Sequence, residues 1–488
     1  MKGFVVYNLW LKIQDNLDSQ WAMYSQIKGE MIDFFNKFYD FQPKQKFLSF
    51  DFTQHPKFAD NINQFSFDFI QIFYHIKQSH PSNDIFTKKL YSRIISSAHL
   101  LEDFLDFHGA KNNKNWFYFR ELTATVRHLG LAGYSQKHIA NRIQFYLLEN
   151  TDQFVKDCDL THYFFTNTFR KVGEAICEES NRLNLMSPGK IEFELFPRMS
   201  TGDFLDYDMD EDYELCEEKY KQQKKNYVKL SSEFLKLART FDKYTFNKVY
   251  SFSQLKELVP ETINEVEIRK TRMVVHNLQS YFDSYVILGH NKEQDNQLKQ
   301  LRGHVSVILH LLQIMGRLLH FYERHIHDIG SRETYKKVRE QLKSLVDPKE
   351  LLDRAINFGL YYVCFFLTSG KSVAQDILNQ NIERSSITVP VPKENGFHLR
   401  PSLLVAKIVE YYAGKVELCV ANKRFDACSV LELQWAGGLL RQENIPEVSF
   451  EGDARALDSI QALANINYAE DVMGQGIALP KELKEIIF

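Results

Sequence analysis

Through most of residues 1–381 the apolar residues recur three or four positions apart, and near Ile387 that spacing gives way to alternation. Leu90, Ile94, Ala98, Leu101 and Leu105 make one such helical stripe, whereas Ile387, Val389 and Val391 begin the alternating pattern. Side chains share a helix face at a period near 3.6 and a strand face at a period of two. The change of period therefore separates a large helical region from a smaller mixed one. A chain of 488 residues also exceeds what one compact core normally organises. The expected fold class is multi-domain: a large all-α N-terminal region followed by a C-terminal α+β open-faced sandwich ordered β-α-β-β-α-β-α.

Helical patterns over 21–38, 65–76, 85–107, 115–131, 135–148 and 161–183 define a first helical domain at 1–186. Residues 187–218 form an acidic linker, opened by Pro188-Gly189, with alternation from Lys190 to Phe196. A second helical region, 219–381, carries two long patterns, Val266 to Ile287 and Asn296 to His327. The loop Gly289-His290-Asn291 joins them as an antiparallel hairpin. Its last helix runs from Pro348 to Thr368, with Asp347 as N-cap and Ser369-Gly370 as its end. The C-terminal domain, 385–470, reads as strand 387–391, helix 400–412, strands 415–421 and 423–427, short helix 430–436, strand 446–451 and helix 454–467. The tail 471–488 exceeds what that domain needs and is available to pack back on the helical region.

A formal charge of -3 creates no general field for nucleic acid or anionic membranes. The six cysteines are scattered and form no CxxC pair, which fits a reducing cytoplasm and gives no zinc or disulfide framework. The first residues lack the long apolar centre of a secretory signal. The apolar segment Ala355 to Ser369 is too short to cross a bilayer, so the expectation is a soluble cytoplasmic protein without membrane insertion. Asp206, Asp208, Asp210, Asp212 and Glu217 have partial calcium-loop spacing, but Glu211 stands where the sharp turn wants glycine. A solvated hinge is the better reading. His320, Glu323, His327 and Asp328 approach one helical face, with His325 nearby, yet show no recognised ligand spacing. Histidines in a last turn also suit the negative end of a helix. No metal and no cofactor are expected.

The stretch Asn395-Gly396-Phe397-His398-Leu399-Arg400-Pro401-Ser402 lies where an extended segment hands over to a helix. The first N–H groups of a helix lack intrahelical partners and sit at the positive end of its dipole, so a phosphoryl group there finds donors in place. Arg400 supplies a charged donor, and a proline in the first turn sacrifices no needed bond. The competing reading is a surface histidine near a helix start.

Residues Ile387 to about Tyr468 resemble HPr, the histidine-containing phosphocarrier of the bacterial phosphoenolpyruvate-dependent phosphotransferase system. Asn395-Gly396-Phe397-His398-Leu399-Arg400-Pro401 is similar to that family's N-G-[LF]-H-x-R-P signature, and Ser429 falls where the family has its regulatory serine. The resemblance implies that His398 is the phosphohistidine acceptor and Arg400 its phosphate partner, with Ser429 a site for HPr kinase. Asn395, Leu399, Pro401, Leu403, Val430 and Leu431 would form the docking face. It implies enzyme I as donor and phosphotransferase-type proteins as acceptors. The chain would then be a carrier and not an enzyme in its own right. The long helical attachment favours regulation over bulk sugar uptake.

Leu399 and Leu403 are bulkier than the family's usual residues there, Glu432 adds an acid beside the docking face, and Asn422 replaces a turn glycine. Ser429-Val430-Leu431-Glu432 also reads as a capping box, with Gly437-Gly438 ending its helix. The alternative function is an interaction module that uses the HPr fold as a docking surface, with His398 never phosphorylated.

Overall fold

The computed structural model describes residues 56–80, 84–185, 217–242, 244, 249–286, 292–327, 333–393, 395–470 and 476–487. The chain divides into two compact units, Met1–Pro56 and Lys57–Phe488, and the elements beyond Pro56 belong to the second. The helix expected at 21–38, the extended segment 190–196, the acids 206–216, the loop 289–291 and Asp328 lie outside the described residues.

Helices α1 (Pro56–Gln78), α2 (Lys88–Phe107), α3 (Phe117–Arg142) and α4 (Asp152–Arg182) precede the 186–216 segment, and α5 (Glu217–Thr240) follows it. Then come α6 (Phe252–Leu258), α7 (Glu265–Tyr285), α8 (Lys292–Phe321), α9 (Glu333–Leu345), α10 (Pro348–Leu352) and α11 (Tyr361–Asn381). The centre is α8, which packs against α3, α7 and α11, so helices from both sides of the segment share one core. Its Leu298, Leu301, Val305, Ile308, Leu312, Met315 and Leu319 are all buried at helical spacing. The span Gln294–His327 is the one described helix long and apolar enough to cross a membrane, and 72% of its apolar window is buried inside the protein.

Two expected helix ends are not ends. The patterns 115–131 and 135–148 merge into α3, in which Gly133 lies against the Tyr91 ring where a Cβ would collide. Likewise Ser369-Gly370 lies inside α11, and Gly370 faces Phe234 and His304 in the space a side chain would take. In both places glycine serves close packing, which outweighs its modest helix penalty. The helices also widen locally into π-turns at Tyr322–His327 and Asp353–Leu360.

The C-terminal part runs β1 (Arg384–Pro390), α12 (Leu399–Tyr412), β2 (Val416–Val420), β3 (Lys423–Asp426), α13 (Val430–Gln442), β4 (Glu447–Asp453) and α14 (Ala454–Asn465). The four strands form one antiparallel sheet ordered β1-β4-β2-β3, with Ile387 and Leu418 both opposite Phe450. Val389, Leu418 and Phe450 from the sheet share a buried core with Val405, Leu433 and Ile460 from the three helices.

Three expectations change here. Gly437-Gly438 does not end α13, which continues to Gln442. A Cβ at Gly437 would meet Phe397 Cβ and O at 3.0 Å, so the glycine lets the helix approach the His398 loop. In the β2–β3 turn the left-handed residue is Ala421 (φ 49°), not Asn422. The tail helix α15 (Lys481–Ile487) packs on the C-terminal core through Leu483 and Ile487, and Lys407 Nζ donates to Ile487 O at 3.3 Å. Its apolar positions find α12 of that domain, not the helical region.

The two regions meet at the end of α12. Gln375 Nε2 donates to Ala413 O at 2.5 Å, Lys415 N donates to Asn379 Oδ1 at 3.2 Å, and Lys236 Nζ lies 4.6 Å from the Tyr411 ring centroid.

Candidate functional site: the helix start at His398

Asn395 and Gly396 both take left-handed backbone angles (φ 60° and 61°), a region that asparagine tolerates and glycine enters freely. They turn the chain so that His398 N donates to Gly396 O at 2.8 Å. Arg441 on α13 donates to Asn395 Oδ1 at 2.9 Å and pins the outside of the turn. Inside, Phe397 is 1% exposed and packs edge-on against Phe450 and Tyr468. Burial pushes the Tyr468 phenol well above its ordinary value, so it remains a donor, to Pro390 O at 3.0 Å.

His398 is the N-cap of α12, with extended backbone and no side-chain cap. Pro401 has no N–H, and Ser402 N already donates to His398 O. Among the described residues, the N–H groups of Leu399 and Arg400 therefore have no acceptor. Buried Ser402 clamps the turn by donating from Oγ to Phe397 O at 3.1 Å. The exposed Arg400 guanidinium lies over the Gly476 backbone and pairs with no carboxylate among the described residues.

Sequence reasoning missed Glu470. Its carboxylate is fully buried, and Oε1 lies 2.8 Å from Nε2 of His398, whose side chain is 33% exposed. The pair is in contact without hydrogen-bond alignment, and among the described residues neither Glu470 oxygen has a hydrogen-bond donor. Glu470 is far from His398 in sequence; an isolated bridge to Gly476, the residue under Arg400, holds it in place. No local motif signals such a contact.

Several residues of the expected docking set are exposed and apolar. Leu399 is 61% exposed and Leu403 41%, while Leu431 and Trp435 on α13 reach 77% and 72%. Val430 is half-buried and Pro401 buried, so Pro401 acts within the fold and not on its surface. Trp435 also escaped the sequence reading, although its i+4 spacing from Leu431 places it on the same helix face.

Ser429 is the N-cap of α13, and its side chain accepts from Glu432 N at 3.3 Å. The return half of the expected capping box is absent: Glu432 Oε2 accepts from Asp426 N at 2.7 Å instead. Ser429→Ala should lower the unfolding free energy by about 1 kcal/mol, the usual worth of an N-cap, as measured by denaturant titration.

Comparisons with protein-family models, curated proteins and solved structures find no match to this chain.

Proposed function

We propose that the C-terminal region is an HPr-like phosphoryl acceptor and that the chain is a phosphorylation-dependent regulator. Enzyme I passes a phosphoryl group from phosphoenolpyruvate to His398, and the helical region reads the charged state. The observation that carries this reading is the helix start: its first turn carries a one-third-exposed His398, two N–H groups without an acceptor and an Arg400 without a carboxylate partner among the described residues. The order of strands and helices from Arg384 to Asn465 supports it.

Glu470 occupies the Nε2 side of the ring, which leaves Nδ1 as the nucleophile. As the Nδ1–P bond forms, the bond from phosphorus to the donor breaks. The charge on the three phosphoryl oxygens is met by Arg400 and the helix N-terminus. Little more than positioning and charge stabilisation is required of the protein.

The face of Leu399, Leu403, Leu431 and Trp435 is the docking surface, and an exposed aromatic anchor is the type of residue that dominates such contacts. Trp435→Ala should weaken enzyme I binding about tenfold or more and leave the thermal midpoint nearly unchanged, measured by titration calorimetry and melting. The relay is α12 itself. Its N-terminus holds the phosphoryl group, and the carbonyl of its C-cap Ala413 accepts from Gln375 of α11, about 20 Å away by helical rise.

Incubation of wild type and His398→Ala with enzyme I and labelled phosphoenolpyruvate tests the assignment. Acid-labile, alkali-stable label on wild type alone supports it. An unlabelled wild type that still binds enzyme I through Trp435 supports the docking-module alternative.

A further inference from the structure

Three histidines far from the C-terminal domain converge in the helical core. His128 lies on α3, His320 ends α8, and His325 sits in the π-turn that follows, with one ring nitrogen of each within 4.8 Å of the others. On an α-helix, residues five apart face directions about 140° apart. The π-turn, bonded from i to i+5, brings His325 back to the side of His320. That widening is why α-helical spacing grouped His320 with Glu323 and His327, whereas His327 is exposed here.

Two of the rings are oriented by carboxylates. His320 Nδ1 lies 3.1 Å from Glu265 Oε2, and His325 Nδ1 lies 2.6 Å from Glu121 Oε2. A carboxylate accepts, so in the neutral rings Nδ1 carries the proton and Nε2 keeps its lone pair. This is how ligand imidazoles are held around metals, with the outer carboxylate setting tautomer and direction. The third ring, His128, is 2% exposed; its Nδ1 is buried without a hydrogen-bond partner among the described residues, and its Nε2 lies 3.4 Å from Arg127 Nη2.

Carboxylates answer two of the nearby cations: Arg127 Nε lies 2.6 Å from Glu102 Oε2, and Arg120 Nη1 lies 2.9 Å from Glu121 Oε1.

The His325 ring centroid is 5.8 Å from those of both His128 and His320. Two imidazoles on one tetrahedral ion at about 2.1 Å have centroids roughly 5 Å apart, so these separations suit a shared ion. His128 and His320 stack at 4.0 Å, and closure requires one ring to turn. His320, with its side chain 26% exposed, has room to do so.

We propose that His128, His320 and His325 bind one divalent transition-metal ion of the zinc class, with a fourth position open to water or a partner's ligand. An all-imidazole set suits such borderline ions and not calcium or magnesium, which take oxygen ligands. The ion joins α3 to the end of the central helix, and this site stands independently of the phosphoryl-acceptor reading.

The full chain, stripped with a chelator, is titrated with Co²⁺, whose visible spectrum reports coordination geometry, and Zn²⁺ is then added in competition. Wild type should take up one equivalent of Co²⁺ with a tetrahedral spectrum, lose it to Zn²⁺ and keep it in excess Mg²⁺. His320→Gln should bind at least ~100-fold more weakly, and Glu121→Gln, which retains all three ligands, about 10–100-fold more weakly. His398→Ala should bind like wild type. Zn²⁺ should raise the thermal midpoint of wild type but not that of His320→Gln. Far-UV circular dichroism confirms that each variant is folded; should Glu121→Gln not fold, His320→Gln decides alone. A wild type that takes up no stoichiometric Co²⁺ or Zn²⁺ overturns the proposal, as does a folded His320→Gln that binds as tightly as wild type.

Discussion

Arg400→Ala should slow phosphoryl transfer from enzyme I to His398 by about 10²-fold, the usual loss when one donor to developing charge is removed. Stability should move by no more than about 0.5 kcal/mol, as for surface substitutions away from special features. The guanidinium is exposed and forms no ion pair among the described residues, so no other carboxylate loses its partner. Arg400 is the second residue of α12, so the first turn that carries it also carries the N–H groups without an acceptor among the described residues. Arg400→Lys should recover only part of the rate, because an ammonium lacks the planar fork that binds two oxygens. Single-turnover kinetics with saturating enzyme I separates this loss from weaker docking. A rate within threefold of wild type would remove Arg400 from the proposed chemistry.

Glu470→Gln should act in two directions at once. The carboxylate is fully buried, touches His398 Nε2 at 2.8 Å and has no aligned hydrogen-bond donor among the described residues, so the imidazole alone offsets the water lost on folding. Burial of a charge under those conditions is costly. A neutral amide of the same shape should therefore leave the thermal midpoint unchanged or raise it. Transfer should slow by about tenfold or more, because the ring loses the negative group that favours a proton on Nε2 and a lone pair on Nδ1. The pattern follows the general rule by which a buried carboxylate orients a reactive imidazole. A variant that both melts lower and reacts normally would assign Glu470 a structural role alone.

Much of the C-terminal architecture was legible because alternation and helical spacing are local signals. The strand and helix segments read from 387–467 fall on elements of the structure, with ends displaced by a few residues. The larger misses came from glycine. Gly437 and Gly370 look like stops in sequence and Gly133 falls between two expected helices, yet each permits a close approach to Phe397, Phe234 or Tyr91 that only the packed fold reveals. His398 and Arg400 were visible as neighbours in a short motif. Glu470 was not, because a bridge to Gly476 brings it to the site from the far end of the domain. The histidine cluster was hidden twice, since His128 comes from a different helix and the π-turn shifts the phase of His325. In each case the missing information was long-range contact or a departure from regular helical spacing, which the local order of residues does not carry.

The most direct test of the phosphoryl-acceptor account is a ³¹P NMR spectrum of the intact chain after incubation with enzyme I and phosphoenolpyruvate. The account predicts one phosphoramidate resonance, assigned to Nδ1 of His398, that vanishes on mild acid treatment and is absent from His398→Ala. A spectrum without a phosphoramidate signal from wild type, or one that persists in His398→Ala, would contradict it.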